Sequence, residues 1–237
     1  MSSFFNMDSP IMRFLGRLAD VMILNIVFLI TCLPVVTLGA AWTSLSYVTL
    51  KMSRDEESYI VKSYFKAFRQ NFRQATAIWG IALVAMFIFY MDFHIIRSMN
   101  QSMAQVMFIL LAAIAMLAAL TLLYVFPVLA KFDNTIMGTI RNAFIMSILQ
   151  LPKTVVMFVM AFFPLIIYLV SLRLIPIIFL FGFSLPAYAS AMLYNKFFQK
   201  LEDQLLSEQE PAPEISPEED ERVFHDELDE SLKTDVK

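Results

Sequence analysis

The sequence predicts an all-α, polytopic transmembrane helix bundle of about six spans. The composition, the distribution of charge and one helix-breaking motif support this fold class. Of the 237 residues, 59% are hydrophobic and 16% are charged, whereas a soluble domain has roughly 25% charged residues. The chain therefore has more apolar surface than a water-soluble fold can bury, and we expect lipid to be its solvent.

Long stretches without charge give the chain five hydropathy peaks. Each stretch approaches or exceeds the roughly 20 residues that a helix needs to cross a hydrocarbon core. The stretches are Val21–Leu50, Gln74–Met91, Ser98–Ala130, Thr154–Leu172 and Leu174–Asn195. We expect a membrane domain over residues 1–200, with spans at about 11–33, 38–52, 74–91, 105–130, 154–172 and 174–195.

The first peak is too long for one span. As a straight helix, Val21–Leu50 is about 45 Å long, against a hydrocarbon core of about 30 Å. Pro34 disfavours a helical conformation at Leu33, and Gly39 allows a backbone conformation that other residues resist. A broken hairpin of two helices fits this pattern, and so does a single kinked helix, which gives five spans.

The basic residues orient the spans, because short loops rich in Lys and Arg stay in the cytoplasm. The segments 51–73 and 131–153 are the richest, and the turns at Arg97 and Arg173 hold one Arg each. Arg13 and Arg17 also favour the cytoplasm for the N-terminus. We therefore expect the hairpin, with six spans and both termini cytoplasmic, over five spans with the N-terminus outside.

Residues 53–73 are predicted to form a cytoplasmic, basic amphipathic helix. One face carries Phe65, Phe68 and Phe72. A helix of this kind lies on anionic lipid or contacts a partner. The candidate lipid- or partner-binding residues on the neighbouring face are Lys62, Lys66, Arg69 and Arg73.

The last segment, residues 201–237, is predicted to be an acidic, disordered tail. It holds 14 Asp and Glu against 3 Lys and Arg, whereas residues 1–200 hold 7 against 15. Three prolines punctuate the carboxylates, and such a composition buries too little apolar area to order itself.

Two polar residues lie in or near the first span. An ionised group in a membrane helix is costly and normally has a partner, so we expect Asp20 to pair with Arg17 near the inner interface. Asn25 is expected to form a hydrogen bond between helices, worth about 1 kcal/mol, that fixes their packing.

The helix break at Pro34–Gly39 is also a candidate site for a substrate or an ion. Transporters hold substrates and ions at the exposed backbone of broken helices, and Thr37 adds a hydroxyl between Pro34 and Gly39. The alternative interpretation of this segment is a plain hairpin turn near the outer surface.

No residue pattern indicates catalysis, and we expect a protein that is not an enzyme and has no cofactor. The sequence lacks the nucleotide-binding, metalloprotease and serine-hydrolase motifs. Its single cysteine, Cys32, and two histidines, His94 and His225, exclude a Cys- or His-rich metal site. No nucleic-acid partner is expected.

The chain resembles the YesL family, small bacterial multi-pass membrane proteins that form a domain of unknown function. The resemblance covers about residues 4–200, and its specific part lies in the first seventy-odd residues. It is carried by Phe5-Asn6, Ser9-Pro10, Leu24-Asn25, the stretch LPVVTLGAA at 33–41, Leu50-Lys51, Arg54, Glu56-Glu57 and the stretch FKAFRQNFRQAT at 65–76. The long acidic tail distinguishes this chain from the shorter members of the family.

The resemblance implies an accessory protein of the bacterial plasma membrane, often encoded near genes for carbohydrate uptake or carbohydrate-responsive signalling. We therefore expect a non-enzymatic accessory or regulatory role, with a carbohydrate ABC transporter or a sensor kinase as partner beside the lipid bilayer. Co-purification of the chain with such a partner would favour this role. The alternative is a small secondary transporter or channel with its site at Pro34–Gly39, although the later spans offer it few polar residues.

Overall fold

Nine α-helices form the described part of the chain. A computed structural model describes residues 10–56, 59–98 and 101–209, and every regular element in these ranges is helical. The helices are α1 (Pro10–Cys32), α2 (Leu38–Ser53), α3 (Ile60–Ile96), α4 (Gln101–Lys131), α5 (Ile136–Leu149), α6 (Leu151–Ala161), α7 (Phe163–Val170), α8 (Ile175–Phe181) and α9 (Ser184–Gln209). Short 3₁₀ turns cover Val35–Thr37 and Leu172–Leu174.

Four helical segments are long and apolar enough to cross a membrane. They are α1 from Ile11, α3, α4 from Met103, and the run Leu151–Val170 that joins α6 and α7. The pair α8 and α9 passes the same criterion as one broken span, bent by 52°. The predicted fold class is therefore confirmed: the chain is an all-α, polytopic membrane protein with four or five such segments.

Helix α2 corresponds to the predicted span 38–52 and is not among the long apolar segments. Its 16 residues reach about 24 Å, less than a hydrocarbon core of about 30 Å. The helix packs against α1, α3 and α4, and most of its side chains are buried. Protein rather than lipid surrounds α2, so it has no need of a long apolar sequence, and its crossing of the membrane stays a prediction.

Three hydroxyl side chains of α2 form hydrogen bonds within the helix. Thr43 Oγ1 donates to the carbonyl of Gly39 at 2.9 Å, and Ser44 Oγ donates to that of Ala40 at 2.7 Å. Thr49 Oγ1 bonds the carbonyl of Leu45 in the same way, at 2.9 Å. Four-residue back-bonding of this kind lets hydroxyls enter a buried interface at low cost.

One apolar core joins the first three helices. It is closed on one side by partly buried residues of α8, α9 and the break between them, including Phe181, Phe183 and Tyr188. Its buried members come from α1, α2 and the start of α3: Val21, Leu24, Phe28, Ala41, Leu45, Val48, Met52, Ile60 and Tyr64.

Helix α3 corrects the predicted boundary between a surface helix at 53–73 and a span at 74–91. The chain turns after Ser53, begins α3 at Ile60 and continues without a break to Ile96. Arg69 and Arg73 end the charged segment, but charge does not interrupt a helix, and no proline lies in these 37 residues. The continuous helix is about 55 Å long, so its basic half is the extension of a membrane-crossing helix.

The C-terminal boundary also differs from the prediction. Helix α9 continues to Gln209, so residues 201–209, expected to be disordered, are helical. The rest of the predicted acidic tail, residues 210–237, lies outside the described residues. The chain divides after Asn195 into two compact units.

Candidate functional site: two helix breaks, a cavity and a basic face

The predicted break lies between α1 and α2, and hydrogen bonds hold its backbone. Thr37 Oγ1 donates to the carbonyls of Thr31 at 2.6 Å and Pro34 at 2.7 Å. Trp79 Nε1 of α3 donates to the carbonyl of Val35 at 2.9 Å. Three carbonyls at the break already have protein donors, which favours a structural role for Thr37; a ligand there would have to displace these donors.

Gly39 acts through close packing. In the described residues no glycine has a positive φ, so the expected special backbone conformation at Gly39 was wrong. A Cβ at this position would lie 2.5 Å from the carbonyl oxygen of Ala75 and 2.8 Å from Cβ of Trp79. Gly39 therefore allows α2 and α3 to approach each other directly beside the break.

Thr31 and Tyr64 join the break to the core, and sequence reasoning did not single them out. Their hydroxyls lie 2.6 Å apart, and Tyr64 Oη also donates to the carbonyl of Ala41 at 3.3 Å. Tyr64 is fully buried. One phenol thus connects α1, α2 and α3, and the regular spacing of Tyr64 within the amphipathic pattern was the only signal of its burial.

A second break separates α8 from α9, and Asn25 of α1 spans it. Asn25 is fully buried. Its Nδ2 donates to the carbonyls of Phe179 at 2.7 Å and Ile178 at 3.2 Å. Its Oδ1 accepts from the backbone N–H groups of Phe183 and Ser184, each at 3.0 Å. One amide therefore satisfies carbonyls at the end of α8 and N–H groups at the start of α9.

Ser184 reinforces this connection from the other side. Its Oγ donates to the carbonyl of Val21 at 2.8 Å, so Ser184 donates two hydrogen bonds from α9 to α1, one from its backbone N–H and one from its hydroxyl. Irregular backbone at membrane depth is tolerated where it is buried in protein and its polar groups are satisfied. Asn25 and Ser184 meet this condition for the second break. We call their hydrogen bonds across this break the Asn25 clasp.

A small cavity lies beside the second break. It has a volume of about 40 Å³, and none of its lining residues is charged. The hydroxyl-bearing residues among them are Ser46 of α2 with Ser190 and Tyr194 of α9. The other lining residues are Trp42, Leu123, Pro127, Met157, Ala161, Pro164, Gly182, Phe183, Pro186 and Ala187.

A row of polar side chains continues from Tyr194. Tyr194 shares a hydrogen bond with Thr49, and its ring centre lies 6.5 Å from that of Tyr124. Thr154 Oγ1 contacts Tyr124 Oη at 3.4 Å and donates to the carbonyl of Gln150 at 2.9 Å. These contacts join α2, α4, α6 and α9 through the bundle interior.

Gln150, between α5 and α6, is the least satisfied polar residue in this region. It is 8% exposed, and neither atom of its side-chain amide has a hydrogen-bond partner among the residues that the structure describes. A buried amide without partners costs about 1–3 kcal/mol.

The four candidate basic residues lie together on the exposed side of α3. Lys62, Lys66, Arg69 and Arg73 are all exposed. The opposite side of the helix buries Ile60, Tyr64 and Ala67 against the core. The basic face is therefore held on a rigid scaffold.

The predicted apolar face of this segment is divided between two environments. Phe68 stacks on the ring of Tyr64 and contacts the ring of Phe72, and it packs against the core. Phe65 is 50% exposed. Therefore only part of the aromatic surface of this segment is exposed and able to contact lipid.

The other predicted intramembrane polar residue, Asp20, is half-buried in α1. Arg17, its expected partner, forms an ion pair with Asp55 in the connection between α2 and α3. The side chains of Arg17 and Asp55 are both more than half exposed, so this ion pair contributes at most about 1 kcal/mol to stability. Asp55 adopts φ of 57°, and the contact fixes α1 against the turn that precedes the basic face.

The described ranges contain no group of three or more His, Cys, Asp and Glu that could hold a metal ion. Cys32 lies half-buried at the end of α1.

The comparisons with known proteins give one match. A family model described as "Protein of unknown function, DUF624" matches residues 21–93. No curated protein and no solved structure matches the chain. The matched segment contains the second half of α1, the first break, α2 and nearly all of α3, and therefore both Asn25 and the basic face.

Proposed function

We propose that the chain is a non-enzymatic accessory or regulatory protein of the bacterial plasma membrane, and a member of the YesL family. Its cytoplasmic basic face docks an acidic surface on a partner membrane protein. A carbohydrate ABC transporter or a sensor kinase is the partner class that the family resemblance implies. The observation that carries the proposal is the basic face of α3, exposed on one side and anchored to the core on the other.

The geometry of α3 supports docking over a purely topological role for these charges. Positive charge in a loop is sufficient to keep that loop in the cytoplasm and needs no defined conformation. Here the buried Ile60, Tyr64 and Ala67 fix the helix, so Lys62, Lys66, Arg69 and Arg73 follow one flank at regular spacing. Fixed, complementary charges steer partners together and set the orientation of docking.

Exposed Phe65 adds an apolar contact beside the charges. Its ring is half exposed and meets the buried Tyr64 edge-on. A side chain of this size at the edge of a charged face is typical of a protein interface, where aromatic residues contribute most of the binding energy.

The proposal places both termini in the cytoplasm and the first break outside. In this orientation α1 leads outwards, α2 returns and α3 leads outwards again, so the basic start of α3 lies on the inner side. Arg13, Arg17 and Arg54 belong to the same side of the bundle and raise its positive charge.

The test compares two variants with the same change in net charge. The first replaces Lys62, Lys66, Arg69 and Arg73 with Gln. The control replaces Arg13, Arg141, Lys153 and Lys200, also with Gln. These four are basic residues elsewhere on the proposed cytoplasmic side. Each full-length protein is expressed in its native host, cross-linked in the membrane and purified, and the recovered membrane proteins are quantified.

We expect the first variant to lose the transporter or kinase that the wild type and the control recover. Flotation with phosphatidylglycerol and phosphatidylcholine vesicles separates docking from lipid contact. If the first variant recovers the same partners as the control at moderate salt, the docking role is wrong. If it loses only its preference for phosphatidylglycerol, the face binds lipid instead.

A further inference from the structure

The cavity beside the Asn25 clasp is a site that the proposed docking role does not use. It lies where α2, α4, α6 and α7 meet the broken pair α8 and α9. Broken helices inside membrane bundles are the places where transporters expose polar backbone to their substrates and ions.

Two hydroxyls of the cavity lining have no hydrogen-bond partner among the residues that the structure describes. Ser46 Oγ and Ser190 Oγ form no hydrogen bond with any of residues 10–56, 59–98 and 101–209, whereas Ser44, on the same helix as Ser46, donates to the carbonyl of Ala40 at 2.7 Å. A helical serine normally satisfies its hydroxyl by this back-bond. Ser46 and Ser190 therefore offer both a donor and an acceptor to the cavity.

The backbone adds a further acceptor at Gly182. The residue four positions later is Pro186, which has no N–H, so the carbonyl of Gly182 has no α-helical donor. Gly182 has no side chain and contributes to the cavity wall with its backbone. A Cβ there would lie 2.5 Å from the carbonyl oxygen of Ile178, so no other residue fits without displacing the break.

The lining decides the class of ligand. No charged side chain faces the cavity, and an ion without a compensating charge is costly to bury. The centres of water molecules can occupy about 40 Å³ of the cavity, which is room for about three waters, and three waters take up about 90 Å³ in the liquid. This is about the size of a three-carbon polyol, whose carbons fit against Trp42 and the three lining prolines.

We infer that this cavity binds a small neutral polyol of about the size of glycerol. The hydroxyls of Ser46 and Ser190 and the carbonyl of Gly182 are its hydrogen-bond partners. The occupant is held at the break between α8 and α9, on the wall that the Asn25 clasp positions.

The test uses the full-length protein in lipid vesicles and glycerol as the probe. Cys32, the only cysteine of the chain, is first replaced by Ser. Ser190→Cys then reports on the cavity, and Ala191→Cys is the matched control, because the next residue of the same helix is fully buried and does not line the cavity. Modification by N-ethylmaleimide is followed by mass spectrometry.

We expect the thiol at position 190 to react about tenfold faster than the thiol at position 191, since an enclosed thiol is inert. Glycerol should slow the reaction at position 190 by about twofold when half of the sites are occupied. Sucrose at equal osmolality is too large to enter and should not slow it. Ser46→Ala in the Ser190→Cys protein should weaken the protection by glycerol.

Three outcomes would overturn the inference. Equal rates at positions 190 and 191 would show that no solute enters. Equal protection by glycerol and sucrose would show that the effect is osmotic. Faster reaction at position 190 with a long-chain maleimide than with N-ethylmaleimide would identify a groove for lipid chains. Identical gel-filtration profiles of the variants verify that all of them are folded.

Discussion

Asn25 shows how one polar residue determines a fold in the membrane. A break in a helix releases carbonyl and N–H groups, and lipid offers them no partner. The amide of Asn25 carries two N–H donors and a carbonyl acceptor in one short side chain, and it satisfies both ends of the break between α8 and α9. The clasp therefore connects position 25 with positions 178–184, which are far apart in the sequence.

Replacing Asn25 with Ala should lower the melting temperature in detergent. Four hydrogen bonds are lost, and at about 0.6 kcal/mol each in a membrane protein the expected loss of stability is about 2 kcal/mol. Asn71→Ala is the control, because Asn71 forms a single bond to its own helix, at the carbonyl of Ala67. Equal melting temperatures for the two variants would show that the clasp does not stabilise the bundle.

Gln150 should behave in the opposite way. Its buried amide has no partner among the described residues, so replacement by Leu, which is of similar size, removes a desolvation cost of about 1–3 kcal/mol. We expect Gln150→Leu to raise the melting temperature in detergent, whereas Gln150→Ala leaves a cavity and lowers it. A fall for both variants would mean that the amide is satisfied in the folded protein.

At the scale of elements, the packing of α2 against α3 organises the first half of the chain. Gly39 lies at their closest approach, and Thr31, Thr37 and Trp79 connect the break to both helices. These contacts make the short helix α2 a central, protein-enclosed element.

Gly39→Ala should therefore destabilise the protein, although Ala is a better helix former than Gly by about 1 kcal/mol. The new methyl group meets the backbone of Ala75 at 2.5 Å, which only a separation of the helices relieves. Gly80→Ala, on α3, is the matched control, because nothing lies within 4 Å of a Cβ there. We expect a lower melting temperature for Gly39→Ala and an equal or higher one for Gly80→Ala; the reverse order would contradict this packing.

The sequence predicted the elements better than their boundaries. Proline, charge and long apolar runs are local signals, and they placed the break at Pro34 and the long helices α1 and α4. The continuity of α3 through Arg73 was missed, because a boundary between charged and apolar residues resembles the end of a span. The helical residues 201–209 were missed for a similar reason, since acidic composition was read as disorder.

The candidate site was predictable only in part. The basic face follows from spacing within one helix, and Asn25 was conspicuous because an amide is rare in an apolar run. The cavity was not predictable, since Ser46 and Ser190 lie on helices α2 and α9 and look like ordinary small residues in the sequence. In the sequence, the only sign of the break at residues 182–183 was Gly182. The reason for a glycine there is its close contact with Ile178, which only the structure shows.

At the scale of the whole molecule, a buried bundle carries an exposed basic face. The core of α1, α2 and the start of α3 lies within or close to the segment that the family model matches. The four or five long apolar segments hold this core in the membrane, and in the proposed orientation the basic start of α3 lies on the same side as the other basic segments. The proposed role depends on that side being the cytoplasm.

Substituted-cysteine labelling in intact cells tests this claim most directly. In a Cys32→Ser background, single cysteines replace Val36, Arg97 and Arg173 on the proposed outer side and Lys66 and Arg141 on the inner side. We predict that a membrane-impermeant maleimide labels the first three in intact cells, and the last two only after permeabilisation. Labelling of Lys66→Cys in intact cells, or protection of Val36→Cys until the cells are permeabilised, would contradict the account.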